Sequence, residues 1–188
     1  GYEPIGKIFE GENLISDPHK NPDIEMLARI AVLTSIAEVE CSKKDNQWFL
    51  ESGDPTEAAL IVFGKKIGYE KNDLLKKYPQ VLEVPFNLKT KHHTVINLID
   101  GKKFLASSGS PEILLEKCEH IWADGAARKI TDRDLANITE TMREYANAGY
   151  RMIALSCDMS VPSNMSAEKL SNLTFVGLIA IIDSIRDE

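Results

Sequence analysis

Apolar residues recur at helical spacing through Ile24, Leu27, Ala28, Ala31, Ile36 and Val39, which predicts a helix over Ile24–Val39. Ahead of it, residues 1–21 are rich in Gly, Pro, Asp and Asn and predict an irregular entry with a short strand near Ile5–Phe9. Polar residues 42–47 predict a turn, and Trp48-Phe49-Leu50 a short strand. Asp54-Pro55-Thr56-Glu57 has the order of a helix start. Asp54 can cap free amides, Pro55 suits the first helical position, and Glu57 stands three after the cap. Ala58, Leu60, Ile61 and Phe63 supply the buried side of that helix, and Gly64 or Gly68 can close it.

The period then shortens. Val81–Pro85 and Thr94–Ile99 read as strands, and Phe104–Ser107 follows the hairpin signal Asp100-Gly101, so the last two are expected as antiparallel neighbours. Ser110-Pro111-Glu112 opens a second helix through Ile113, Leu114 and Leu115. A third begins at Thr131-Asp132-Arg133-Asp134, carries Leu135, Ile138, Met142 and Tyr145, and ends at Gly149. Tyr150–Ser156 and Thr174–Ile182 predict two more strands. Together these elements predict an α+β fold, an antiparallel sheet flanked by helices.

The chain's 188 residues are enough for one core, and 27% charged residues suit a folded globule. No segment reaches the roughly 18 consecutive apolar residues of a membrane span, and no basic, apolar leader opens the chain. Direct membrane insertion by these residues is not expected. With 22 Lys+Arg against 29 Asp+Glu the formal charge is −7, and Lys89-Thr90-Lys91-His92-His93 is too short for a nucleic-acid stripe. Cys41, Cys118 and Cys157 form neither a CxxC nor a zinc spacing and are expected as reduced thiols. His92 and His93 are adjacent, so on a strand they point to opposite faces and are poor candidates to chelate one metal together without a strand distortion. A metal site is not expected. The Asn-x-Ser/Thr triplets at Asn137, Asn164 and Asn172 are taken as chance.

Several residues carry candidate chemistry. Glu57 is either the capping carboxylate of its helix or an acceptor for an exocyclic amine such as the adenine 6-amino group. Phe86 closes an apolar strand, where an aromatic is usually core. Yet Asn87, Lys89, Thr90, Lys91, His92 and His93 follow at once, and that switch suits a ring for a base and an ammonium for phosphate. Ser108-Gly109-Ser110-Pro111-Glu112 joins a strand to a helix. Gly109 permits close backbone approach, and the new helix offers free amides to an anion. Arg151 can pair with a surface carboxylate or hold phosphate through its forked donors. The chain holds no Gly-x-Gly-x-x-Gly, P-loop or Gly-x-Ser-x-Gly.

These fragments stand in the order of one known family. Gly53-Asp54-Pro55-Thr56-Glu57-Ala58-Ala59-Leu60 resembles the Gly-Asp-Pro-Thr-Glu-Gly-Ala-Leu segment of P-type cation-transporting ATPases. Pro85-Phe86-Asn87 through Lys91 resembles their adenine-site strand, and Ser108-Gly109-Ser110-Pro111-Glu112 their Lys-Gly-Ala-Pro-Glu loop. Gly149-Tyr150-Arg151-Met152-Ile153-Ala154-Leu155 is similar to their Gly-x-Arg-x-Leu-Ala segment. Phe175–Ile179 and Asp183-Ser184-Ile185-Arg186 resemble the exit strand and the Asp-Pro-Pro-Arg hinge. The likeness spans residues 53–188 and is nearest the calcium and sodium/potassium branch.

The resemblance implies a nucleotide-binding domain over 1–188, with 183–188 at the hinge to a phosphorylation domain. Glu57 is expected near the adenine amino group, Phe86 stacked on the ring, Lys91 beside the nucleotide and Arg151 near its phosphates. Gly109 would shape the pocket wall. Ser108 stands where the family usually has lysine, and Leu88 where some calcium pumps have an arginine. The phosphorylated-aspartate motif Asp-Lys-Thr-Gly-Thr is absent. The implied partners are therefore ATP and the phosphorylation, actuator and transmembrane domains of a pump, with magnesium held mainly by the phosphorylation domain. The resemblance implies a cytoplasmic domain of a membrane protein that does not turn over ATP by itself. A regulatory nucleotide-binding or protein-interaction module and a small Asp/Ser/His hydrolase are the alternatives.

Overall fold

A computed structural model describes residues 2–10, 12–161 and 170–182. The hinge expectation at Asp183–Arg186 and the triplet at Asn164 lie outside these. The strands are β1 (Phe9–Glu10), β2 (Asn13–Leu14), β3 (Glu38–Cys41), β4 (Trp48–Ser52), β5 (Gln80–Val84), β6 (His92–Ile99), β7 (Lys102–Gly109), β8 (Cys118–Ala123), β9 (Ala126–Lys129), β10 (Arg151–Asp158) and β11 (Leu173–Ile181). The α-helices are α1 (Pro22–Leu33), α2 (Pro55–Ile67), α3 (Lys71–Lys77), α4 (Pro111–Leu115) and α5 (Asp132–Asn147).

Seven strands form the main sheet in the order β5-β6-β7-β10-β11-β8-β9. Every neighbouring pair is antiparallel except β11 and β8, which run parallel, so the predicted antiparallel sheet is in fact mixed. Alternation along the strands divides the core in two. Val95, Phe104, Ala106, Leu155 and Cys157 face Ile30, Val32, Leu60, Ile61 and Leu74 from α1–α3. Ile96, Leu105 and Ala154 face the other way, towards Leu114 of α4, with Ile138 of α5 packed at the margin.

Local chemistry explains most boundaries. Asn21 Oδ1 accepts from the Asp23 and Ile24 amides at 3.1 Å each, which starts α1. The predicted helix to Val39 stops early, at Leu33. Thr34 Oγ1 donates to the Ile30 carbonyl at 2.8 Å, and Ser35 Oγ donates to the Glu57 carbonyl at 3.0 Å while accepting from the Ala37 amide at 3.2 Å. These hydroxyls draw the chain out of the helix, so Val39 enters the core from β3 and Ile36 stays exposed. Asp54 caps α2 by accepting from Thr56 at 2.7 Å and Glu57 at 3.1 Å, and Gly68, in the left-handed region at φ 96°, ends it. The Asp100-Gly101 turn has φ of 50° and 75°, the two positive values of a type I′ hairpin. None of β2, β3, α3, β8 and β9 was expected, although Asp124-Gly125, with φ of 53° and 76°, repeats the same hairpin signal between the last two. Asp23 ties that turn to α1 by accepting from the Asp124 and Gly125 amides at 3.0 and 2.8 Å.

Gly64 sits within α2 where that helix meets α1, and a Cβ added there would overlap Val32 Cγ2. Val32 is β-branched and buried, so it has little freedom to turn aside. Gly64→Ala gains ~1 kcal/mol of helix propensity and loses ~1–3 kcal/mol to overpacking. The net effect is expected to be destabilising by up to ~2 kcal/mol in urea denaturation, with partial recovery when Val32→Ala is added. A midpoint for Gly64→Ala at or above that of the parent would show that the two helices separate without cost.

Candidate functional site

The face of the sheet that carries α1–α3 is not covered to its end. Beyond the start of α2, a cleft of about 600 Å³ opens between that helix, the segment linking β5 to β6, and the adjoining ends of β6, β7 and β10. Glu57, Phe86, Lys91, Ser108, Gly109 and Arg151 all line it. Residues dispersed over 95 positions of sequence thus meet in one place.

Phe86 is not core. Its side chain follows Pro85 out of β5 and is 56% exposed at the cleft. The chain then turns back on itself: Lys91 donates its amide to the Asn87 carbonyl at 2.6 Å, and Asn87 Oδ1 accepts from the Lys89 amide at 2.8 Å. Lys91 lies at φ 53°, an uncommon conformation for a residue with a side chain, and its carbonyl accepts from the Ser110 amide at 2.9 Å. Gly109 lies against this turn. A Cβ there would overlap the Lys91 carbonyl and stand 2.7 Å from His92 Cα, so the wall closes only with glycine.

Glu57 had two possible roles, and its side chain does not cap α2. Asp54 alone supplies that acceptor, while Glu57 Oε2 is buried in the cleft wall without a hydrogen-bond partner. Burial raises the carboxyl above its usual range, and the charge of Asp54 adds to this. The charge of His93, the Ile36 amide and Lys71 oppose the rise. A buried acceptor with spare capacity is costly unless something donates to it.

Arg151 opens β10, and its Nη1 donates to Thr56 Oγ1 at 2.7 Å, which fixes the guanidinium beside the start of α2. Ser108 is buried in β7, directly across from His93. The free amides expected of the following helix amount to little. α4 has five residues, and Ser110 Oγ donates to the Glu112 carboxylate at 2.7 Å, so negative charge already stands at that end. Among the described residues no group of three or more His, Cys, Asp or Glu is placed to hold a metal ion. No described helix is long and apolar enough to cross a membrane.

His93, in the cationic run that follows Phe86, lines the cleft as well, and so does Glu83, which was not singled out from the sequence. Along β6, His93 shares a face with Val95, towards α1–α3, and His92 faces away. His92 indeed turns to Thr94 Oγ1, 3.0 Å away. Burial and the charges of Lys117 and His93 disfavour its protonated form.

The family described as the P-type ATPase cytoplasmic domain N matches residues 23–188. A calcium-transporting ATPase of Bacillus subtilis (strain 168) is 33% identical over 193 residues, covering 100% of this chain and 21% of the relative. A calcium-transporting ATPase of Listeria monocytogenes is 29% identical over 164 residues, covering 86% of this chain and 18% of the relative. The human sodium/potassium-transporting ATPase subunit alpha-4 is 30% identical over 180 residues, covering 86% and 17%. The chain spans about a fifth of the length of these relatives. The chain belongs to the P-type ATPase family as a cytoplasmic N domain, related to those of the calcium and sodium/potassium pumps.

Proposed function

We propose that this domain binds ATP by its adenine end and positions it for phosphorylation of an aspartate on a separate domain of an ATP-driven cation pump. The observation that carries this is the pairing, in one cleft, of an exposed Phe86 ring with a buried, unpartnered Glu57 oxygen. A purine supplies what both lack, a flat face for the ring and an amino hydrogen for the carboxylate. Lys91 and Arg151 line the same cleft and bring cationic donors for phosphate oxygens.

Phosphoryl transfer depends on positioning and on charge compensation. This chain's residues serve the first. Magnesium chemistry and the nucleophile belong, in this proposal, to the phosphorylation domain. A serine hydrolase is disfavoured by the hydrogen bonds around Ser108. The imidazole across from it, His93, has Nδ1 against the Thr34 carbonyl at 2.6 Å and Nε2 against Glu83 at 2.9 Å, so neither nitrogen is left to take the serine proton. Binding by the isolated chain is expected to be near millimolar, or ~−4 kcal/mol, because the triphosphate extends towards solvent and the chain's charge is −7.

Removing the ring tests the stacking. Phe86→Ala should weaken ATP, ADP and AMP alike by about fivefold to a hundredfold, the range of ~1–3 kcal/mol for base stacking. Its thermal stability should hardly move, because the ring is exposed. Amide shifts confined to regions away from Phe86 and Glu57 during an ATP titration would defeat the pocket assignment.

Glu57→Gln separates ligand from cap by the sign of its effects. The carboxyl stands above its unfolded value, so the native state holds that proton more tightly, and the group's contribution to stability declines as pH rises through the carboxylate range. At neutral pH the ligand-free Gln variant should therefore be as stable as the parent or more so, the difference vanishing in acid. Adenine binding should weaken about fivefold, as a charge-assisted bond becomes a neutral one. A stability loss at neutral pH larger than the binding loss would return Glu57 to the capping role.

A further inference from the structure

The His93–Glu83 contact crosses three elements, and the chemistry of its atoms restricts the protons it can hold. His93 Nδ1 lies 2.6 Å from the Thr34 carbonyl at the end of α1, and Nε2 lies 2.9 Å from Glu83 Oε1 on β5. The imidazole is 5% exposed. A carbonyl only accepts, and an ionised carboxylate only accepts, so both ring nitrogens must donate. The assembly therefore holds one proton more than a neutral imidazole beside a carboxylate. When that proton leaves, a nitrogen lone pair faces a carboxylate oxygen, and an attractive contact becomes a repulsive one.

The position matters because of what is joined. Glu83 stands three residues before Phe86 on the edge strand of the sheet. Thr34 ends the helix from which the chain passes to Ile36 in the cleft wall. In the strand register His93 lies directly opposite Ser108. That serine stands where the resemblance places a lysine. The neutral residue removes a fixed cation from the cleft floor, and an imidazole one strand away supplies a titratable one.

We infer that His93 is a positioning residue of the nucleotide cleft, holding the edge strand that leads to Phe86 against the end of α1 through its bonds to Glu83 and to the Thr34 carbonyl, so that adenine affinity follows the protonation of this imidazole. The inference rests on the adenine-binding reading of the cleft. Other charged groups surround it. Glu57 and Asp54 face the cleft from α2. From α3 the half-buried Lys71 faces Glu38, Glu57 and Glu83. His92 lies on the opposite face of β6, where burial holds it neutral. The charge of His93 opposes the rise at the Glu57 carboxyl, and its Nε2 holds Glu83 in place.

Adenosine is the appropriate probe, since it carries no phosphate to titrate near neutrality. Its affinity for the 188-residue chain should fall by about fivefold as pH rises across the imidazole range, a coupling at the low end of linked equilibria. His93→Gln, which keeps a donor for Glu83 without a titratable ring, should still bind but with a flat profile. His92→Gln should keep the parent profile. Histidine ring NMR on the unmutated chain supplies a measurement that needs no variant to fold: the His93 ring should be doubly protonated at the acidic end and should retain that proton to higher pH when adenosine is bound. A flat profile in the parent chain, a pH dependence that survives His93→Gln, or a His93 ring that stays singly protonated throughout would each overturn the inference. The underlying reading is checked separately. Loss of adenosine binding in Phe86→Ala with a flat parent profile leaves the cleft assignment standing and removes only the role of His93, whereas undiminished binding in Phe86→Ala removes both.

Discussion

The register between β6 and β7 is the constraint on which the site depends. Side chains alternate along a strand, so a shift of one residue would exchange every group on one face for those on the other. With the Asp100-Gly101 turn setting the pairing, His93 lies on the face of α1–α3 and meets Ser108 across the ladder. His92 and Thr94 are sent to the opposite face, where Thr94 Oγ1 and Ser107 Oγ share a hydrogen bond of 2.8 Å. Two consecutive histidines thus have unrelated lives, one beside the cleft and one beneath α4. Gly109 adds a second condition, since the Lys91 turn can press against β7 only where no Cβ intervenes.

Much of this was legible in the chain because it is written locally. The Asp54 cap, the left-handed glycine that ends α2 and the two-residue hairpin turn are each decided within a few residues. The convergence of Glu57, Phe86, Lys91, Ser108, Gly109 and Arg151 was legible for another reason. Their short motifs stand in the order of a family, and order carries tertiary information that periodicity lacks. What failed to show was settled by partners distant in sequence. The end of α1 depends on a bond from Ser35 to the Glu57 carbonyl, 22 residues away. The parallel pairing of β11 with β8 leaves no trace in either strand's composition. The role of Glu57 could not be chosen from spacing, because a capping carboxylate and a ligand carboxylate occupy the same position and differ only in the direction of the side chain.

The cleft is built from groups that are energetically unsatisfactory when empty. An aromatic ring faces water, a carboxylate oxygen is buried without a donor, and a lysine adopts a left-handed backbone. Such features survive only where the surrounding scaffold outweighs them, and here that scaffold is the pair of apolar layers on either side of the sheet.

The edge of the sheet gives the His93–Glu83 pair a second consequence. β5 is an outermost strand and exposes Val81 and Leu82, the kind of rim onto which a strand from another molecule could add. It is only five residues long, and Pro79 and Pro85, which lack amide hydrogens, bracket it. Glu83 turns its charge inward from this rim to reach His93. The same carboxylate that braces the floor of the cleft therefore helps to keep the border of the sheet closed to self-association, linking solubility to the integrity of the site.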